Sequence, residues 1–155
     1  MRVLECPDIG SLVEQFTNLT LPAAAWTHKA HLRVGVWHRY HHAEDQAIFL
    51  LRERIRAFNT AVGTANTDSS GYHETLTRLY VLLISEALHS IHGKGMSDEA
   101  ICSHVVGTLA DRALPLNYFS RERLFSAYAR RQWIEPDLGQ IPQNRGERLV
   151  PALRW

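Results

Sequence analysis

Nine histidines stand in this 155-residue chain, and His28, His31, His38, His41 and His42 all fall between positions 28 and 42. A His-x-x-His pair on a helix projects two imidazoles from one face. A further His or carboxylate from a facing helix would complete a three-ligand site with an open coordination position, suited to Fe, Zn, Mn or Cu. The second stretch with chemistry is Tyr72-His73-Glu74-Thr75-Leu76-Thr77. At about 100° per residue, His73, Leu76, Thr77, Tyr80 and Ile84 share one helical arc, so His73 is expected to point inward with Glu74 at the margin of that arc.

The expected metal ligands are His28, His31 and His73. Glu74 is the expected fourth ligand, or a general base with a pKa tuned by burial, and Thr77 lies one turn beyond His73 as a second catalytic group. Tyr80 is expected to touch substrate, and Arg130 could hold a carboxylate or phosphate with a bidentate fork. Gly35 lies in the 28, 31, 35, 38, 42 row and lets a ligand or a neighbouring backbone approach closely. Two plainer readings compete: imidazoles satisfied within a core, and Arg130 and Arg131 on an ion-paired surface helix. His38, His41 and His42 are expected at a solvated helix end, and His89, His92 and His104 near the surface without a role.

The elements that must position these groups are helical. Apolar residues at Leu12, Val13, Phe16 and Leu19 predict a first helix over 8–19, and Pro22 punctuates its end. Thr27 is a plausible N-cap for a second helix starting at 23 or 27 and reaching 42, followed by a third over 43–62. Residues 63–71, rich in Gly, Thr, Asn, Asp and Ser, are expected as a loop that delivers the chain to Tyr72 and His73. A fourth helix over 72–92 is the most apolar and the expected centre of the fold, stopping at Gly93-Lys94-Gly95. Ser97 opens a fifth helix to about 109 or 112, and Ser120 a sixth that ends near 133.

The remainder, 138–155, contains Pro142 and Pro151 and is expected as an irregular tail packed through Leu149, Val150, Leu153 and Trp155. Alternating strand patterns and internal repeats are absent from the sequence. The predicted fold is therefore all-α, one compact domain of five to six helices in a bundle-like or orthogonal arrangement.

Composition narrows the partners. Apolar residues at 45% and charged residues at 21% describe a chain that folds. A formal charge of +1 supplies no field for a phosphate backbone or an anionic membrane, so the expected partner is a small molecule, with neither nucleic acid nor membrane and with homo-oligomerisation left open. Glu5 and Pro7 interrupt any signal-peptide core, and the apolar run at 79–88 is far shorter than the roughly 20 residues that span a bilayer. Cys6 and Cys102 lack a CxxC partner and are expected as reduced thiols in a cytoplasmic protein.

Trp26-Thr27-His28-Lys29-Ala30-His31-Leu32, Tyr72-His73-Glu74-Thr75-Leu76-Thr77, Tyr118-Phe119-Ser120-Arg121-Glu122-Arg123-Leu124, Ala129-Arg130 and Glu135-Pro136-Asp137-Leu138 together resemble a family of uncharacterised bacterial proteins. Its members carry an aromatic-Thr-His-x-x-His stretch and a Tyr-His-Glu-Thr-x-Thr stretch, and the likeness runs from about Leu12 to Leu138. Trp26 and Leu76 stand where that family usually has Phe and Ile. The resemblance implies no activity; it groups His28, His31, His73, Glu74 and Thr77 as one site. The leading expectation is a metal-dependent enzyme acting on a small, anionic molecule. A non-catalytic small-molecule binding module and a metal-free His/Glu acid-base enzyme are its rivals.

Overall fold

Hydroxyl caps set many of the helix starts. The computed structural model describes residues 3–6 and 8–142. Its α-helices are α1 (Ile9–Thr17), α2 (His28–His41), α3 (Glu44–Ala61), α4 (Glu74–Ile91), α5 (Asp98–Thr108), α6 (Arg121–Leu124) and α7 (Ala127–Arg131). The Thr27 hydroxyl accepts the Ala30 N–H at 3.2 Å, and Ser97, Ser120 and Ser126 do the same for Ala100, Arg123 and Ala129. Ser126 explains why one expected helix over 120–133 is two short ones: its side chain closes a new start after Leu124 and splits the run. Among the described residues there is no strand, and the fold is all-α with a single core. The tail expected to pack through Leu149, Val150, Leu153 and Trp155 lies outside the described residues, as does all of 143–155.

The centre of the fold is shared by α2 and α4, rather than belonging to α4 alone. Helix α2 packs against α1, α3, α4 and α5, while α4 packs against α2, α3, α5 and α7. The burial of α2 is concealed in the sequence because its buried residues include His38, Arg39 and His41 beside Val34, Val36 and Tyr40. His38 is 0% exposed and His41 9%, which corrects the expectation of a solvated helix end.

Back-bonding makes this burial tolerable. The Nδ1–H of His38 donates to the Val34 carbonyl at 2.7 Å, and that of His41 to the Trp37 carbonyl at 2.7 Å. Each carbonyl has a second lone pair beyond the one used by the helix. The remaining Nε2 of His38 accepts from Arg54 Nη1 at 2.6 Å, and that of His41 from the Leu4 N–H at 3.1 Å. Each ring is thus a satisfied neutral imidazole with nothing left over. Arg39, also 0% exposed, donates from Nε to Ser85 Oγ on α4 at 2.7 Å and from Nη1 to the His42 carbonyl at 3.0 Å.

Cys6 and Cys102 form a disulfide, with Cα atoms 6.8 Å apart, and this corrects the expectation of two reduced thiols. The bond ties the segment before α1 to α5 across 96 residues of sequence, a separation that spacing rules for local motifs do not detect. The 63–71 loop is organised by Asn66, whose Oδ1 accepts from Asn59 Nδ2 and from the Tyr72 N–H, both at 3.0 Å. Gly71 closes this loop at φ +77°, and a Cβ there would stand 2.5 Å from the Ala65 carbonyl oxygen. No helix among the described residues is long and apolar enough to cross a membrane.

Candidate functional site

Between α2, α4 and the segment 112–125 lies a cavity of about 560 Å³, within the size range of small-molecule sites. Its walls are mainly apolar: Leu32 of α2, Ile55 of α3, Leu76 and Ile84 of α4, and Leu116 and Phe125 beyond α5. Four sequence-selected groups meet here, namely His28, His31, Thr77 and Tyr80, and Gly35 also lines the wall. A Cβ on Gly35 would come within 2.8 Å of Ile84 Cδ1, so the missing side chain lets α4 seat its isoleucine against α2.

His31 is fixed in orientation and tautomer. Its Nδ1–H donates to the Thr27 carbonyl at 2.7 Å, and its ring lies against Trp26 with centroids 3.8 Å apart. Trp26, itself half-buried, stacks on the buried Phe16 at 4.5 Å with an interplanar angle of 13°, so the imidazole rests on an aromatic pile. Burial lowers its pKa; the bond to Thr27 opposes that, and His28 and Arg112 add to the lowering. The ring retains solvent access although protein surrounds it, as befits a side chain on the wall of an open cavity. With Nδ1 carrying the proton, the lone pair of Nε2 is the ring's available acceptor.

The other polar groups complement that acceptor. Burial pushes the Tyr80 phenol up to about 12, with Asp111 adding and Arg112 opposing, so it is a donor at neutral pH. His28 stands edge-on to Tyr80 with ring centroids 5.8 Å apart, and its Nε2 is 3.4 Å from the Leu109 carbonyl. Thr77 lines the cavity and donates its hydroxyl to the His73 carbonyl at 3.0 Å. Arg112 and Arg121 line the same cavity, and among the described residues neither forms an ion pair with a carboxylate. Sequence reasoning gave Arg112 no role because it lies in the turn after α5, where no helical periodicity marks it.

The motif at the start of α4 goes elsewhere. His73 is the N-cap of α4: its Nδ1 accepts the Leu76 N–H at 3.1 Å and its Nε2–H donates to the Leu124 carbonyl at 2.8 Å. Burial lowers its pKa; the Leu124 bond opposes this and Arg130 reinforces it. Glu74 accepts a bidentate pair from Arg52 Nε and Nη2, both at 2.8 Å, and the Tyr72 hydroxyl at 2.8 Å. Burial pushes its carboxyl up, but Arg52 and Tyr72 outweigh this and the net shift is downward. Thr75 donates its hydroxyl toward the Ala129 and Gln132 carbonyls at 2.7 and 2.8 Å. Arg130 donates to the Gly71 carbonyl at 2.9 Å. These residues fasten α3, α6 and α7 to the start of α4, and neither His73 nor Glu74 nor Arg130 lines the cavity.

The donor set does not fit a transition metal held by His28, His31 and His73. Both nitrogens of His73 are bonded to main chain, so that ring has no lone pair left for a metal, and His28 and His31 alone fall short of a three-ligand set. Among the described residues no three His, Cys, Asp or Glu side chains are grouped to hold a metal ion. No family model matches the chain, and neither a curated protein nor a solved structure is significantly similar to it.

Proposed function

We propose that the chain binds a small amphipathic anion in the cavity between α2 and α4, without a metal. The observation that carries this reading is the pairing of an apolar chamber with two cations, Arg112 and Arg121, that have no carboxylate partner among the described residues. An apolar ligand body is favoured by contact with Leu32, Ile55, Leu76 and Ile84, while a carboxylate or phosphate head gains charge-assisted hydrogen bonds at the arginines. Tyr80 supplies a hydroxyl donor and His31 an acceptor, which together select a ligand carrying both a donor and an acceptor group.

A catalytic version of the same reading is favoured by one feature, the locked tautomer of His31. An imidazole with Nδ1–H bonded to main chain and a lowered pKa presents Nε2 as a general base toward a bound substrate. Glu74, the base expected from sequence, is ion-paired outside the cavity and takes no part in this version.

Isothermal titration with medium-chain fatty acids and aromatic carboxylic acids tests the proposal. Saturable binding that weakens about tenfold or more in Arg112→Gln supports it, one lost charge-assisted bond being worth about 1.5–3 kcal/mol. Binding of the corresponding neutral amides with equal affinity would reject the anionic head. A cytoplasmic site of action predicts that Cys6 and Cys102 are held as thiols there, and alkylation trapping in intact cells reads whether they are.

A further inference from the structure

We infer a second ligand site, independent of the cavity: a cleft between α3, α4 and α7 built to hold a small molecule carrying a diphosphate group. The cleft encloses about 330 Å³ and is lined by Arg52 and Arg56 of α3, Arg78 of α4, and Arg130 and Arg131 of α7. Against these five cations its walls offer two carboxylates, Glu74 and Asp68. Both are already engaged, Glu74 by Arg52 at 2.8 Å and Asp68 by Arg131 at 3.3 Å.

The three remaining guanidiniums are oriented by groups that do not neutralise them. Arg56 lies over the Tyr72 ring at 6.0 Å and Arg78 over the Trp133 ring at 5.3 Å. Arg130 is held by the Gly71 and Tyr72 carbonyls at 2.9 and 3.4 Å. Ring faces and carbonyl oxygens fix direction while leaving a full positive charge on each group. Glu44 and Glu74 feel the field of Arg78, yet neither is ion-paired with it among the described residues.

Three like charges converging on one cleft repel one another, and that repulsion is relieved by an anion of matching charge. A monocarboxylate offsets one of them. A diphosphate carries two to three negative charges and enough acceptor oxygens to meet planar N–H forks from three directions. The walls are more polar than apolar, so the cleft favours the charged group over a greasy body. This separates its ligand class from that of the cavity.

The test is titration of the full chain with sodium pyrophosphate at fixed ionic strength, followed by calorimetry and by melting temperature. Saturable binding is expected at least tenfold tighter than that of inorganic phosphate, and at least tenfold weaker in the double variant Arg56→Gln, Arg78→Gln. Either single variant reports the same direction if the double variant fails to fold. Arg112→Gln is expected to leave pyrophosphate affinity unchanged. Stabilisation no greater than that given by sodium chloride of equal ionic strength would overturn the proposal. So would unchanged affinity in the arginine variants, or a loss in Arg112→Gln, which moves the anion to the cavity mouth. A short single-stranded RNA that binds more tightly than pyrophosphate, and loses affinity in the same variants, would overturn the small-molecule assignment.

Discussion

At the start of α2, Thr27 caps the helix and His31 returns its Nδ1–H to the Thr27 carbonyl, which leaves Nε2 open to the cavity. At the start of α4, the histidine is itself the cap, and His73 uses Nδ1 on the Leu76 N–H and Nε2 on the Leu124 carbonyl. Both stretches contain an aromatic residue, a threonine and a histidine, and both are read in sequence as ligands for one site. The difference is position relative to the first helical turn. A ring one turn inside the helix reaches one backbone group of its own turn, whereas a ring at the cap reaches an orphan N–H and a neighbouring segment at once. Availability for chemistry follows from how many local partners the imidazole can reach, and residue type alone does not reveal it.

Acid is the strongest way to probe these neutral imidazoles together. The pKa of His38 is lowered to about 4, chiefly by burial, with the Val34 bond opposing and Arg54, His42 and His41 adding to the lowering. Its folded pKa lies below its unfolded value, so the unfolded chain takes up the proton first as pH falls. Stability is therefore intact above about pH 6.5 and declines until about pH 4, by on the order of 3 kcal/mol for this one group. His31, His42 and His73 are shifted in the same direction. Urea midpoints at pH 7 and pH 4.5 measure the decline, and His38→Gln, which keeps hydrogen-bonding atoms but does not titrate, should flatten it. A wild-type midpoint that does not move between those pH values would sink the assignment of neutral, back-bonded rings.

The closed motif is broken most directly at Glu74. Glu74→Ala leaves the Tyr72 hydroxyl and the Arg52 guanidinium without their acceptor, and a loss of about 2 kcal/mol is expected in urea denaturation. Arg52 remains one-third exposed and can rehydrate, which keeps the figure below that of a fully buried pair. Affinity for a cavity ligand should change little, because Glu74 lies outside the cavity. If Glu74→Ala instead kept its stability and lost ligand binding, the division of roles between the two helix starts would have to be reversed.

The open motif gives the converse result. His31→Ala removes the ring that faces the cavity together with its contact on Trp26, at a cost of about 1 kcal/mol or less, since the Thr27 carbonyl keeps its helical bond from the His31 N–H. Ligand affinity is expected to fall at least tenfold, and catalytic turnover, where a substrate is found, to vanish. His31→Gln with full turnover would remove the ring from the chemistry.

Much of the architecture was legible because helical starts and stops are local. Thr27, Ser97 and the glycine pair Gly93 and Gly95 mark their ends in the sequence, and the observed bounds of α2 to α5 fall close to the expected ones. The break between α6 and α7 was missed because Ser126 could stand mid-helix as well as cap. Burial of His38 and His41 was missed because polarity was read as exposure, and the bonds to Val34 and Trp37 that satisfy them depend on rotamers. The sequence places Thr77 and Tyr80 on one face of a helix and aligns His28 with His31 on another, but their meeting in one cavity without His73 is a tertiary fact. The exclusion of His73 and Glu74 depends on partners 51 and 22 residues away, a tertiary fact that no periodicity contains.

Gly35 offers the finest test, since it sits on the open side of the comparison and contributes no polar atom. Alanine in a helix interior gains about 0.5–1 kcal/mol over glycine. A Cβ at this position meets Ile84 Cδ1 at 2.8 Å, the far end of a side chain that can turn away, so the gain and the strain nearly cancel. Net stability of Gly35→Ala is expected within about 0.5 kcal/mol of wild type. The displaced Ile84 methyl has the cavity beside it, because both residues line the same wall. Ligand affinity should therefore drop about tenfold, the effect of one misfitted methyl group in an apolar pocket. Equal affinity in Gly35→Ala, measured on the same carboxylate series, would mean that the ligand does not reach the interface of α2 and α4, and would confine binding to the rim at Arg112 and Arg121.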